Sequence, residues 1–485
     1  MGNSVILVVD FGTSNVHGSL VSLENGTILY HCSRKYPMVT TQPGYAELDP
    51  EQIWENAQLC VQELMEKKPD NLWLKTMTFS YFGDSLVLVD KRGEPLTNLL
   101  LCFDTRGMEE ARWLENTLGR ERFMALTGGS CYHFATPAKM LWIQRHHPDI
   151  YKLAGGFWSV QQYIHHKLGL PPVTDVTMGS RKSMMDITTR KWSPELLAAT
   201  DTTEKQMGDL VETGDLVGVL TRFGCVRLGG PVQVIAGGHD CDCGLLGVGI
   251  HDETQPMVGE ITGTYDHVGF LSGKDANLAL QDDTGTFLSY CAPVEGQTIS
   301  MSSFPTCGAL LEWFMREIVG DTSPAAYERL WSQAQFAGTN PVSMHPDFST
   351  GGGVGPLYLG TTRQQMFEAL IESLTYESRR LIDMCRQFKK QEITTVRIGG
   401  GPSRSDVWMQ LRADILGLRF ERMESIECST LGAALRAAVS TGEYDDMETA
   451  VARMIRLKDV FEPNMQRNAV YEQRYRAYLN SFERN

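Results

Sequence analysis

The sequence lacks any cluster of lysine and arginine that could serve as a footprint on a phosphate backbone. Its 44 basic residues face 59 acidic ones, for a formal net charge of -15. With no basic patch to displace counterions, nucleic acid is not expected as a partner. No apolar stretch is long enough to span a bilayer, and the N-terminus has neither the charged n-region nor the apolar h-region of a secretion signal. The start "MGNSVI" has the glycine of a myristoylation signal but not the later Ser or Thr. No membrane partner is expected, and the localisation expected is cytoplasmic. The 11 cysteines are scattered, with "CDC" at Cys241 and Cys243 as the only close pair and no matching His/Cys pair after it. That spacing excludes the usual zinc knuckle, and reduced thiols fit the cytoplasm. No low-complexity segment interrupts the chain, so the hinge between its domains should be short.

What is present is 485 residues with 42% hydrophobic content, enough for two or three domains with large cores. The opening "VILVVDFGTSNVHGSLVSLENGTIL" reads as a buried strand, a tight turn, an alternating strand and an Asn-Gly hairpin at Asn25 and Gly26. The strand ends in a carboxylate, Asp10, followed by a turn in which Gly12 allows close backbone approach to an anion. Thr13, Ser14 and Asn15 add donors for phosphate oxygens, and Asp10 could hold a hydrated Mg²⁺ that bridges to them. An ordinary polar turn capped by Asp10 would read the same way.

The second half repeats the pattern. "PMVGEITGTYDHVGFL" runs strand, Gly-Thr turn, strand, with Gly263 and Thr264 standing where Gly12 and Thr13 stood. Such a duplication suggests two halves facing one ligand. Just before it, "PVQVIAGGHDCDCGLLGVG" carries a strand to His239 and Asp240, and a carboxylate at that junction could accept a proton or merely cap the following helix. A third junction, "TTVRIGGGPSRSDVWMQLRADILG", offers Gly399, Gly400 and Gly401 as a shelf for a flat base, or simply a loop, before a helix capped by Ser or Asp.

These four segments, in this order and spacing, resemble the FGGY carbohydrate kinases, the family of glycerol kinase, xylulokinase and fuculokinase. The likeness covers nearly the whole chain. It extends to "TGGSCYHFATPAKMLWIQRHHPDIY" from Thr127, "GALLEWFMREI" from Gly308, "MFEALIESLTYESR" from Met366, "ECSTLGAALRAA" from Glu427 and "VFEPNMQRNAVYEQRYRAYL" from Val460. The resemblance implies an α/β fold of two actin-like ATPase (ribonuclease H-like) domains with a cleft between them, at 1–246 and 247–485. It implies ATP and Mg²⁺ as cofactors and transfer of phosphate to a hydroxyl of a small sugar or polyol, such as a pentulose or deoxyhexulose. Asp240 is then the catalytic base and Asp10 the metal residue. Gly12, Thr13, Ser14, Asn15, Gly263, Thr264, Gly308, Gly399 to Gly401 and Ser403 fall on the nucleotide, with Asp84, Asp104, Arg106, His239 and Asp240 on the substrate. A homodimer is the candidate assembly.

The chain departs from the pattern in two places. Many relatives carry Arg or Lys a few residues after the first Gly-Thr, where this chain has Val16 and His17. On the substrate side it reads "SYFGDSLVLVD" and "LLCFDTRG", with Asp84 near the family's His or Glu and Cys102 in place of Trp. The substrate pocket is therefore expected to be neither a plain xylulose nor a plain glycerol pocket. Two other functions compete: a sugar-independent actin-like ATPase and a catalytically weak sugar sensor.

Two helices are explicit in the sequence. "DPEQIWENAQLCVQELMEK" has Asp49 as N-cap, Pro50 in the first turn and Ile53, Ala57, Cys60, Val61 and Leu64 on one face. "NAVYEQRYRAYLNSF" near the end sets Val470, Tyr471, Tyr475, Tyr478 and Leu479 in a docking stripe.

Overall fold

The computed structural model describes residues 3–482 except 264, 275, 306 and 348–350. It divides into two compact units. The first is Met1–Glu253 with Leu271–Ser300 and Glu427–Ile455, and the second is Thr254–Phe270, Met301–Ile426 and Arg456–Asn485. The first unit thus runs past residue 246 and takes back two later segments.

The first unit is built on a seven-stranded sheet. Its strands are β1 (Ser4–Phe11), β2 (Asn15–Ser22), β3 (Ile28–Lys35), β4 (Trp73–Tyr81), β5 (Leu216–Phe223), β6 (Val226–Ile235) and β7 (Gly238–His239). In space the order is β5-β6-β4-β1-β2-β3, with β7 also beside β4. β1, β6 and β7 all run parallel to β4, while β2 is antiparallel to β1 and β3 antiparallel to β2. Val5 to Val9 form a continuous apolar run because both faces of β1 are covered.

Helix α1 (Pro50–Lys67) begins where its cap predicts, the Asp49 carboxylate accepting from the Glu51 N–H at 2.9 Å. Its buried face is Ile53, Trp54, Ala57, Cys60, Val61 and Leu64, which packs with Val5, Val9 and Leu20 on one side of the sheet. Each large apolar side chain so buried contributes roughly 1.5–3 kcal/mol. The other face, with Ile6, Val8 and Val21, is covered by helix Cys428–Ser440 through Leu431, Ala434 and Leu435. The alternation read in "VHGSLVSLE" therefore becomes near-continuous burial in β2, because a helix lies on each side. Three further helices carry site residues: α2 (Thr136–His146), α3 (Val176–Arg181) and α4 (Asp240–Gly247).

In the second unit, β8 (Met257–Thr262) turns back into β9 (Asp266–Ser272) and pairs in parallel with β10 (Thr395–Gly399). β10 continues in parallel to β11 (Arg419–Met423), which pairs antiparallel with β12 (Leu457–Phe461). The last helix, Met465–Phe482, docks on helix Arg363–Phe388 by its tyrosines. The Tyr471 hydroxyl donates to Glu372, that of Tyr475 to Asp383 and that of Tyr478 to Glu377.

Candidate active site

Parallel strands that end together leave their carboxyl ends and the turns beyond them at one edge, where α/β proteins bind ligands. In the first unit Asp10 of β1 and Gly238 of β7 both stand opposite Ser80 of β4, and one step on Phe11 and His239 stand opposite Tyr81. Asp240 follows at once as the first residue of α4. Asp10 and Asp240 are thus brought to the same edge from 230 residues apart in the numbering. Asp10 Oδ1 is buried and has no hydrogen-bond partner among the described residues. Burial pushes the Asp10 carboxyl up to about 8, and Asp240 and then Glu427 add to the rise while the Ser80 hydroxyl opposes it. A buried carboxylate with an unused oxygen and carboxylate neighbours is a fitting donor for a hard divalent cation.

Directly after Asp10 the chain makes its first glycine turn. Gly12 N–H donates to Asn15 O at 2.9 Å. Tyr36, just past β3, clamps the turn: its hydroxyl donates to Gly12 O and, at 3.0 Å, to Asn15 O, and its N–H donates to Ser14 O at 3.2 Å. Thr13 and Asn15 are left half-buried and Ser14 exposed. His17 stands opposite Asp10, with Nδ1 3.4 Å from Nε2 of His31. Burial lowers its pKa, opposed by Glu427 and assisted by His31. The position thus carries an imidazole biased toward neutrality rather than a fixed cation.

The candidate substrate residue Asp84 lies on the turn after β4. Asp84 has a left-handed backbone, φ 53°. Gly83 before it has no room for a side chain, since a Cβ there would lie 2.6 Å from the His239 ring and 3.3 Å from Arg181. Burial raises the Asp84 carboxyl, Arg181, Lys139 and His239 oppose that rise, and Asp240 adds to it. His239 Nε2 is 3.2 Å from Asp240 Oδ1 and its Nδ1 3.5 Å from Asp242 Oδ1. Asp242 also accepts from Arg181 at 2.7 Å, and Arg181 and His239 hold it below the ordinary range despite its burial. The N-cap of α4 is His239, with no side-chain cap bond, and Asp240 accepts at Oδ1 from the Cys241 N–H at 2.7 Å. Its side chain remains 29% exposed.

Asp104 and Arg106 form a tight cluster of their own. Asp104 is fully buried and accepts from Ala46 N–H at 2.9 Å, from Arg106 N–H at 3.1 Å, and from Arg106 Nε and Nη2 at 2.7 Å each. Arg106 also pairs with Glu47 and lies over the Tyr45 ring, 3.8 Å from its centroid. In this structure their polar atoms are engaged with one another, with Ala46 and with Glu47.

In the second unit the turn after β8 is shorter than the first: Gly263 N–H donates to Tyr265 O, two residues on, at 2.8 Å, where Gly12 N–H reaches three residues on. Thr264 lies outside the described residues. Gly308 N–H donates to Gly263 O at 2.9 Å, so Gly308 and the turn are in contact. Gly399 ends β10 opposite Ile261, and Gly400 takes φ 103° with its α-carbon pressed on Thr262, where a Cβ would lie 1.9 Å from the carbonyl oxygen. Gly401 has open space around it, and the Ser403 hydroxyl donates to Gly400 O at 2.7 Å. Gly263, Gly308, Gly400 and Ser403 thus meet through hydrogen bonds or direct packing, at the carboxyl ends of β8 and β10.

Residues 5–247 match the N-terminal domain of the FGGY family of carbohydrate kinases, and residues 294–441 its C-terminal domain. The chain belongs to this family. It is a carbohydrate kinase, a phosphotransferase. It is 26% identical over 494 residues to the xylulose kinase of Bacillus subtilis, covering 98% of this chain and 96% of that one. With the L-fuculokinase of Escherichia coli K12 the identity is 25% over 462 residues, covering 94% and 96%. The fold of the solved xylulose kinase from Lactobacillus acidophilus superposes with a TM-score of 0.87 at 20% identity, covering 98% and 97%. The architecture is the two-domain α/β fold of FGGY sugar kinases, actin-like in type. No helix among the described residues is long and apolar enough to cross a membrane.

Some partners of the candidate site residues carry no local mark of that pairing in the sequence. Lys139 is the lysine of "KMLW" in a segment that carries the family resemblance, but nothing local marks its ammonium as a donor to the Asp84 carbonyl oxygen. Arg181 and Asp242 pair across 61 residues. Burial pushes the Cys102 thiol up to about 12, with Asp84 and Asp240 adding and Lys139 opposing. A buried lysine or arginine in an apolar context is the one hint such residues leave, since burial without a partner is costly.

Proposed function

We propose that this kinase phosphorylates a hydroxyl of a small sugar or polyol with ATP as donor, a ketose such as a pentulose or deoxyhexulose being the favoured class. The observation that carries the reading is Asp240: a partly exposed carboxylate at the carboxyl edge of the parallel strands, beside His239 and in the electrostatic reach of Asp10 and Asp84. A sugar hydroxyl is a poor nucleophile, and a carboxylate within reach accepts its proton as the bond to phosphorus forms. Asp84, His239 and Asp240 are the proposed substrate contacts, with Asp104 and Arg106 bracing that side. Gly12, Thr13, Ser14 and Asn15 offer donors to phosphate oxygens in the first unit. Gly263, Thr264, Gly308, Gly399 to Gly401 and Ser403 serve the nucleotide from the second. Mg²⁺ at Asp10 would neutralise charge on the transferring phosphate. The names of the similar proteins, xylulose kinase and L-fuculokinase, support a ketose.

The test is ADP release with ATP and Mg²⁺ across a panel of pentuloses, 6-deoxyhexuloses, aldonates and polyols. Release that rises with one neutral ketose supports the proposal. ADP release indifferent to every sugar would instead indicate a sugar-independent ATPase, and sugar binding without turnover would indicate a sensor.

A further inference from the structure

Asp84 is one of four non-glycine residues with positive φ among the described residues, and the only one in the candidate site. A residue with a side chain holds this conformation only when its surroundings over-determine it, and such positions concentrate at functional sites. On one side the constraint is visible: Gly83 is wedged against His239 and Arg181. On the other it is Lys139. This residue is the fourth of α2, has no exposed surface, and its Nζ donates to the carbonyl oxygen of Asp84.

Burying an ammonium is expensive, and here burial drives Lys139 toward neutrality, down to about 8, against the opposing pull of Asp84, Cys102 and Asp104. For packing alone a methionine would serve the same volume without that cost. What a lysine adds is a charge-assisted hydrogen bond to one main-chain oxygen, which an apolar residue cannot make. That oxygen belongs to the residue with the unusual φ. Lys139 is out of reach of solvent, so it acts through Asp84 rather than on a ligand.

We propose that Lys139 is a positioning residue of the substrate side, holding the Asp84 turn in the left-handed conformation that presents the Asp84 carboxylate beside Asp240 and His239. The inference rests on the sugar-kinase reading above with Asp84 on the substrate. It assigns to Lys139 control of sugar affinity without control of nucleotide affinity.

The experiment is steady-state kinetics on wild type, Lys139→Met, Lys139→Arg, Asp84→Ala and the Lys139→Met/Asp84→Ala double variant, using the best ketose of the panel. Lys139→Met is expected to raise the sugar KM roughly 10- to 100-fold, the worth of a hydrogen bond to a charged group, while the ATP KM stays within about twofold of wild type. Lys139→Arg, which keeps a charged donor, should recover part of the loss. In the Asp84→Ala background, Lys139→Met should change the sugar KM less than about twofold, because the two residues act as one unit. Should Lys139→Met not fold, Lys139→Gln takes its place, keeping a neutral donor on a shorter arm with a smaller rise expected. Equal rises in both KM values, or additive effects in the double variant, overturn the inference while leaving the kinase reading intact. A wild-type chain with no sugar-dependent ADP release in the panel sinks the kinase reading and this inference with it.

Discussion

Replacing Asp240 by Asn tests the proposed base with little structural disturbance. In the folded chain Asp240 Oδ1 accepts the Cys241 N–H at 2.7 Å and lies 3.2 Å from His239 Nε2, contacts that the amide oxygen of Asn can keep. The helix start is not at stake either, because the N-cap position belongs to His239. What disappears is proton acceptance. General-base catalysis contributes roughly 10²–10⁴ in rate, or about 3–5 kcal/mol of barrier at 1.36 kcal/mol per decade. The charge lost is also one that holds the Asp10 carboxyl up, so in the variant Asp10 should ionise more readily and melting near pH 8 should hold steady or rise. The assay is coupled ADP release at saturating ketose and ATP, with ATP affinity by calorimetry and Tm by calorimetric scan. The expected outcome is a kcat lower by that factor with ATP affinity and Tm near wild type. Turnover within a few-fold of wild type would remove Asp240 from the chemistry, and a collapse of Tm would make it a structural residue instead.

Asp10 predicts a pH dependence of stability. Its folded pKa of about 8 lies above the unfolded 3.8, so the folded chain holds a proton that the unfolded chain has released, and the stabilisation this gives, full below 3.8, is lost as pH rises through about 8. Without divalent cation, wild type should therefore lose stability relative to Asp10→Asn between about pH 5 and pH 8, and Mg²⁺ should restore it at the upper end; parallel curves, or no Mg²⁺ effect, would dismiss Asp10 as a metal residue. Asp104→Ala should destabilise by about 3–5 kcal/mol, because it leaves the buried Arg106 guanidinium without its main partner, and urea unfolding reads this directly. Gly400→Ala must place a Cβ 1.9 Å from Thr262 O at φ 103°. It should lower Tm by several degrees and raise the ATP KM while the sugar KM stays put, and an unchanged ATP KM would take the glycine shelf off the nucleotide.

The parts of this protein legible in one dimension are those governed by neighbours in the chain. The apolar run from Val5 to Val9, the Gly-Thr turns and the Asp49-Pro50 helix start rest on φ preferences, capping and short-range periodicity, which act within a few residues. The Ser405 cap before helix Asp406–Leu416 was readable for the same reason. Spacing between such marks was enough to point to a family. Burial was less legible. β2 reads as half-exposed in sequence because polar and apolar residues alternate in it, and it is largely buried because α1 and helix Cys428–Ser440 arrive from elsewhere on its two faces.

The sequence by itself determined the local grammar of this kinase: strand ends at or just before Asp10 and Asp240, the Gly-Thr turns, and the candidate substrate carboxylates. Only the tertiary structure decided which of those groups meet. Parallel pairing of β1 and β7 with β4 sets Asp10 and Asp240 on one edge, and a helix 55 positions further on supplies the ammonium that holds Asp84. Arg181 spends its charge on Asp242, and Asp104 spends its oxygens on Arg106 and Ala46. The physical reason is range: backbone preference acts over a few residues, whereas desolvation and charge pairing act between whatever groups the fold packs together, however far apart they lie in the chain.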